Sequence, residues 1–491
     1  MREGFRQALT WLHNWAGLVV GWLLLVIAAA GTLSVFRQEL DAWMHPELAR
    51  GPIDQVRAGA EATRWLATHA AQAPAWFIDL ADARSPGTLA YWAQGTDFVS
   101  RTLSPLTGAP DGIRQSLGGE FFYRFHFELQ LPYPWGRLLA VVAAEMMLVV
   151  LITGIVAHRR IFKDFFTLRT GKGQRSWLDG HVVLGVLALP FHLMIVLTGV
   201  VTLITLFMPW GGLAAYKGDQ AALSRDLFPA IERPRSGHPM PLAPITPMLR
   251  AAEARFGGAG ISTINVVNPG DVAQVVTVSA GEQPGIAVQQ HNISFDGSTG
   301  RVLSEFVEQR PAKRLHNLLY GLHMGRFAGL ASRWFYFLSG LMLTAAIATG
   351  LILWTAKRRR PHGFGHALVD RLNAGFVAGM PAAFAIFLIA NRLLPDDLPL
   401  RAEIETRCLF IAWGAALLFA ALRDRAYAWR ELLGVAAIAC AAIPIADLSA
   451  ARLPGGPAAL DGVAIGVDAV ALGLAALFAG SAWLVRRHAT P

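Results

Sequence analysis

The sequence predicts an all-α polytopic membrane bundle of about eight spans, the first four arranged as two parallel hairpin repeats, with two small α/β modules in the loops outside the bilayer. Three observations predict it. Of 491 residues, 54% are apolar and 16% charged, at a mean hydropathy of +0.41, which departs from a soluble domain in both respects. The apolar residues are gathered in runs close to the roughly 20 residues that cross a bilayer at about 1.5 Å each. Finally, the first and second halves of the chain before residue 360 share spaced motifs.

Apolar runs fall near Trp15 to Phe36, Gly136 to His158, His181 to Phe207, Trp334 to Ala356, Asn373 to Asn391, Cys408 to Leu422, Glu431 to Asp447 and Asp461 to Val485. An even number puts both termini on one side. The segments 1–14, 159–180, 357–372, 423–430 and 486–491 hold 18 Lys or Arg between them, against 4 in the loops 392–407 and 448–460. Basic loops stay in the cytoplasm, so both termini are expected there, with 37–135 and 208–333 outside. The basic start and the Ala28-Ala29-Ala30 stretch resemble a cleaved signal peptide, but the run is long for one and is part of the repeat.

Each half of the repeat is a hairpin. His13-Asn14-Trp15-Ala16-Gly17 aligns with His181-Val182-Val183-Leu184-Gly185, and each histidine stands 18 residues ahead of a glycine, Gly31 or Gly199. Thr153-Gly154-Ile155 aligns with Thr349-Gly350-Leu351, and His126 and His323 precede those glycines by 28 and 27 residues. Parallel hairpins imply a pseudo-twofold axis along the membrane normal.

In the second external loop, Pro241 to Phe256 has helical periodicity, while Ile264 to Val267, Val272 to Val278, Ile286 to Phe295 and Arg301 to Phe306 read as strands, the last two joined by the turn Asp296 to Gly300. The first loop reads as a helix near Val56 to Ala71 and strands near Trp76 to Leu80 and Thr88 to Ala93. The divisions are therefore 1–36, 37–135, 136–207, 208–333 and 334–360, and then an appended four-span unit, 361–491, after the break Lys357-Arg358-Arg359-Arg360-Pro361.

The net charge of +9 sits beside span ends, where it orients the chain, so nucleic acid is not an expected partner. The two cysteines, Cys408 and Cys440, exclude an all-cysteine iron–sulfur site and a C-x-x-C-H haem attachment. There is no G-x-x-x-x-G-K-[ST], no strand-embedded G-x-G-x-x-G and no H-E-x-x-H, which removes an intrinsic ATPase, a flavin or nicotinamide domain and the simplest metalloprotease. Trp11, Trp15, Trp22, Trp177, Trp334 and Trp354 read first as interfacial anchors.

The histidines carry the chemistry. His13, His158 and His181 lie at cytoplasmic ends of spans, His126, His316 and His323 just outside spans two and four, and His192 inside span three. Neutral imidazole is an axial ligand for haem iron, and a pseudo-twofold axis brings equivalent residues face to face, so His13 with His181 and His126 with His323 suit bis-imidazole ligation. Any one of them could instead bond to water or headgroups. His181 and His192, 11 apart, and His316 and His323, 7 apart, each share nearly one helix face. His192 could ligate a more central haem or bond to a carbonyl; Glu145 and Asp468, also within spans, could relay protons or make structural hydrogen bonds. Arg101, Arg114, Arg124, Arg310, Lys313 and Arg326 in the external loops could attract an anionic chelate.

The stretches Trp11 to Leu18, Gly21-Trp22-Leu23-Leu24, Gly31-Thr32-Leu33, Leu322 to Phe327 and Thr349 to Trp354 resemble the PepSY-associated transmembrane helix family, and Ile264 to Phe306 resembles a PepSY module. The resemblance covers about residues 5–360. It implies PepSY-like external modules, and relatives of the siderophore-reductase type that bind b-type haem between four core helices of the bacterial inner membrane and reduce iron in the periplasm. It makes His13, His126, His181 and His323 haem-ligand candidates, with His158 and His192 next.

The expected function is thus haem b electron transfer, with two haems, from an unidentified cytoplasmic or membrane donor to a ferric siderophore outside. A siderophore or metal permease and a PepSY-based periplasmic interaction protein are the alternatives.

Overall fold

The computed structural model describes every residue except 1–2, 49–51, 96, 158–168, 170, 228, 230, 232, 283–284, 357–362, 452–460 and 490–491. His158 and the break at Lys357 to Pro361 lie outside the described residues. In chain order, α1 (Glu3–Ser34) and α2 (Arg37–Met44) precede α3 (Gln55–His69), β1 (Ala75–Asp79), β2 (Thr88–Gln94) and β3 (Asp97–Leu103). Helix α4 (Glu120–Glu128) leads to α5 (Trp135–Ala157), α6 (Gln174–Leu187) and α7 (Leu189–Thr202). After short helical segments come α8 (Ile245–Arg255), β4 (Ile261–Val267), β5 (Val275–Ala280), β6 (His291–Asp296), β7 (Val302–Val307) and α9 (Pro311–Met324). The chain ends with α10 (Leu330–Ala356), α11 (Phe364–Ala374), α12 (Met380–Leu393), α13 (Arg401–Leu422), α14 (Arg425–Ala451) and α15 (Gly462–Ala489).

Two compact units result: residues 1–44, 117–203 and 328–491 form a helical unit, and residues 45–116 and 204–327 form the other. In the helical unit, seven helices among the described residues are long and apolar enough to cross a membrane, and α6 with α7 makes an eighth if that pair is one span. The protein is a multi-pass membrane protein. The α6–α7 pair bends by 68°. Pro190, at the start of α7, has no N–H for the carbonyl one turn back, and its ring crowds that turn, so the apolar run continues while the helix does not. The expectation that His181 and His192 share one face of a continuous helix is corrected accordingly. The fifth span begins earlier than its apolar run, at Phe364, and passes through a π turn at Gly375–Gly379 between α11 and α12.

The repeat is visible in the packing. Helix α1 lies against α5 and α10, and α6 lies against α10. The appended helices are not peripheral. Buried Asn373 accepts from Trp22 Nε1 at 2.9 Å and donates to the Leu351 carbonyl at 3.0 Å, tying α11 to both hairpins. Phe121 stacks on Phe387 at 4.4 Å, and Phe122 and Phe125 meet Phe384 and Phe410 at 5.3 and 5.7 Å, so the apolar face of α4 is held by α12 and α13. Arg392 on α12 pairs with Asp447 at 2.7 Å and lies 3.7 Å over the Trp43 ring; this buried charge has a carboxylate, a carbonyl and an aromatic face as partners.

The second unit holds one antiparallel seven-stranded sheet, in the order β3-β2-β1-β4-β5-β6-β7. The two large loops, expected as separate modules, are joined through β1 and β4, which pair from Ala75↔Val267 to Asp79↔Thr263. Pairing covers edges that each loop alone would leave open. Helices α3 and α8 cover one face, burying Leu66, Met248 and Leu249 against Trp76, Ile264 and Val278. Helix α3 starts where Asp54 accepts from the Arg57 N–H at 3.0 Å.

Candidate functional site

His13 on α1 and His181 on α6 face each other with ring centres 6.3 Å apart and planes at 70°. Each is held from behind. His13 Nδ1 lies 2.9 Å from the Val150 carbonyl of α5, and His181 Nδ1 lies 2.9 Å from the Ala346 carbonyl of α10. A carbonyl only accepts, so in each neutral ring Nδ1 carries the proton and Nε2 the lone pair. That is the tautomer in which an imidazole binds a metal, with its second hydrogen bond fixing the ring's direction.

The helices admit these rings because of glycine. A side chain at one position of a helix leans back over the carbonyl four residues earlier. Val150 and Ala346 are each four residues before a glycine, and a Cβ built on Gly154 or Gly350 would stand 3.0 Å from His13 Cε1 or 3.2 Å from His181 Cε1. His126 on α4 repeats the pattern: its Nδ1 lies 2.7 Å from the Ile27 carbonyl, and a Cβ on Gly31 would stand 2.6 Å from that nitrogen. Burial lowers the His126 pKa and so favours the neutral ring, partly opposed by the bond to Ile27.

Two imidazoles that share one metal at about 2 Å per bond have ring centres about 6 Å apart, counting about 1 Å from nitrogen to centre on each side. The His13–His181 separation fits. Among the described residues, no three His, Cys, Asp or Glu side chains gather as a metal site.

The other expected residues divide clearly. His192 is fully buried, and its Nε2 lies 3.2 Å from the Ser339 carbonyl, so Nε2 carries the proton, the opposite tautomer to the pair. Its bond is to a carbonyl of α10, two turns from the one that His181 uses. His323 and His316 stand on α9, in the sheet-bearing unit, where His316 stacks with Tyr320 at 6.3 Å. Burial, then neighbouring Lys313, lowers the His316 pKa. Glu145 is half-buried and has no hydrogen-bond or ion-pair partner among the described residues, and Asp468 Oδ1 is buried without one. Several basic residues expected to attract an anion are occupied. Arg114 is bonded to Glu47, Arg124 to Glu128 at 2.9 Å and Arg310 to Glu308 at 2.8 Å, while Arg101 donates to the Ser100 carbonyl. The glycines that seat the rings were visible as repeated letters, but their role depends on which helix each histidine meets.

A family model described as the PepSY-associated TM region matches residues 10–357. An uncharacterized protein of Pseudomonas aeruginosa is 28% identical over 349 residues, covering 67% of this chain and 86% of its own length. The family match takes in both hairpins that carry the paired histidines.

Proposed function

The chain belongs to the family of the PepSY-associated transmembrane region, and on that premise we propose that it is an inner-membrane electron-transfer protein that holds b-type haem and reduces ferric siderophores on the periplasmic side. The observation that carries the reading is the His13–His181 pair, 6.3 Å between ring centres, with both Nδ1 atoms committed to carbonyls. Haem, when bound, supplies a one-electron couple within the apolar layer. The chain's own residues do the rest: Nε2 of His13 and His181 would hold the iron, Val150 and Ala346 fix the rings, and Gly154 and Gly350 let them approach. His126, with the same tautomer, is the ligand we assign to a second haem.

Reduction is a sound way to release iron. Siderophores offer hard oxygen donors that suit Fe(III), and Fe(II) is softer and held less tightly, so one electron loosens the chelate. Protein purified from haem-replete membranes should be red, with a Soret band that shifts on dithionite and reoxidises when a ferric siderophore is added beside a ferrous trap. Haem that stays reduced with every chelate class would remove the siderophore assignment.

A further inference from the structure

A second cluster in the helical unit joins both hairpins to α11. Trp15, two residues past His13, meets Trp354 edge-on at 5.9 Å. Trp354, one turn past the glycine on which His181 rests, faces His366 of α11 at 6.1 Å and 31°. His366 Nε2 is buried and has no hydrogen-bond partner among the described residues. One turn along, on the same face, buried Asp370 pairs with Arg425 Nε at 2.7 Å, and Arg425 is 59% exposed at the start of α14. His366 and Asp370 stand in the first two turns of the helix Phe364–Leu393, at one end of its apolar length.

Together these groups offer aromatic walls, a buried imidazole nitrogen and a carboxylate with a charged route to water, on helices that include those of the histidine pair. A donor that reaches such a place dissolves in lipid and gives up protons with its electrons. We propose that the electron donor is a membrane quinol, oxidised beside Trp354 and His366; this rests on the haem reading above. As the two quinol O–H bonds break, one proton goes to His366 Nε2 and the other to the Asp370 carboxylate, and both leave past Arg425. The two electrons would pass one at a time to the haem that His13 and His181 would hold, and from it to two Fe(III) chelates, and the ring leaves as a quinone. One quinol thus serves two ferric chelates.

The test uses the full chain as purified, in nanodiscs. Decylubiquinol should reduce its haem, and His366→Phe should slow that at least tenfold, while dithionite, which needs no binding site, still reduces the variant and shows its cofactor in place. An azido-quinone photoprobe should label the peptides that carry Trp354 and His366, and excess decylubiquinone should displace it. Haem that dithionite reduces but decylubiquinol does not, or labelling elsewhere on the chain, overturns the quinol site and leaves the haem reading standing, with a soluble reductase as donor. Protein without haem overturns the haem reading, and the photoprobe then still decides whether quinone binds here.

Discussion

His13 and Gly154 are partners across two helices: the imidazole bonds to the Val150 carbonyl and its edge rests where a Cβ of residue 154 would be, 3.0 Å from Cε1. His181 and Gly350 repeat this in the second hairpin, and His126 and Gly31 repeat it on α4. Each glycine is thereby a positioning residue for a ring that it does not bond.

Gly31→Ala should therefore displace His126, since the new Cβ would lie 2.6 Å from Nδ1. The second haem should be lost while the first remains. Gly154→Ala and Gly350→Ala, with gaps of 3.0 and 3.2 Å, require shifts of only a few tenths of an ångström. They should keep haem but change the low-spin signals in electron paramagnetic resonance. Spectra identical to wild type in all three variants would contradict the role given to these glycines.

The appended spans should matter to His126 although none of them carries a proposed haem ligand. Phe387 packs on Phe121 and Phe122, one turn from His126. Phe387→Ala should destabilise the bundle by about 3–5 kcal/mol, as for other large core truncations, and loosen the second haem before the first. Thermal melts that follow the two haem spectra separately check this, and simultaneous loss of both would contradict it.

Glu308 provides a pH dependence in the sheet-bearing unit. Hydrogen bonds from Arg310 outweigh desolvation and hold its carboxyl at about 2, against an ordinary value of 4.5. The folded value is depressed, so the stabilisation is complete above the ordinary value and is lost as pH falls towards 2. Hydrogen exchange in β7 and the start of α9 should accelerate over that window, and Glu308→Gln should remove that dependence.

The topology gives a fourth outcome. Alkaline phosphatase fused after Gly270 should be active and after Arg169 inactive, because the basic loops stay inside. The reverse pattern would invert the assignment.

The spans were legible because a bilayer writes burial as long apolar runs, and the equivalence of His13 and His181 because duplication preserved the spacing to Gly31 and Gly199. Other features left little local trace. Pro190 breaks a helix without interrupting its hydrophobicity. Strand β3 was missed: at the sheet's edge it alternates weakly and includes exposed Arg101 and Phe98. The union of the two loops depends on β1 pairing with β4 across a whole hairpin, a contact that no local pattern encodes. The seating of histidines on glycines became visible only once α5 and α10 were known to lie behind α1 and α6.

The most direct measurement is a pyridine haemochrome on the purified chain, wild type beside His13→Ala and His181→Ala. Wild type should hold two b-type haems per chain and either variant one, with the same haem lost in both. A wild-type protein without haem, or variants that keep the full complement, would contradict the pairing of His13 with His181 on which the function rests.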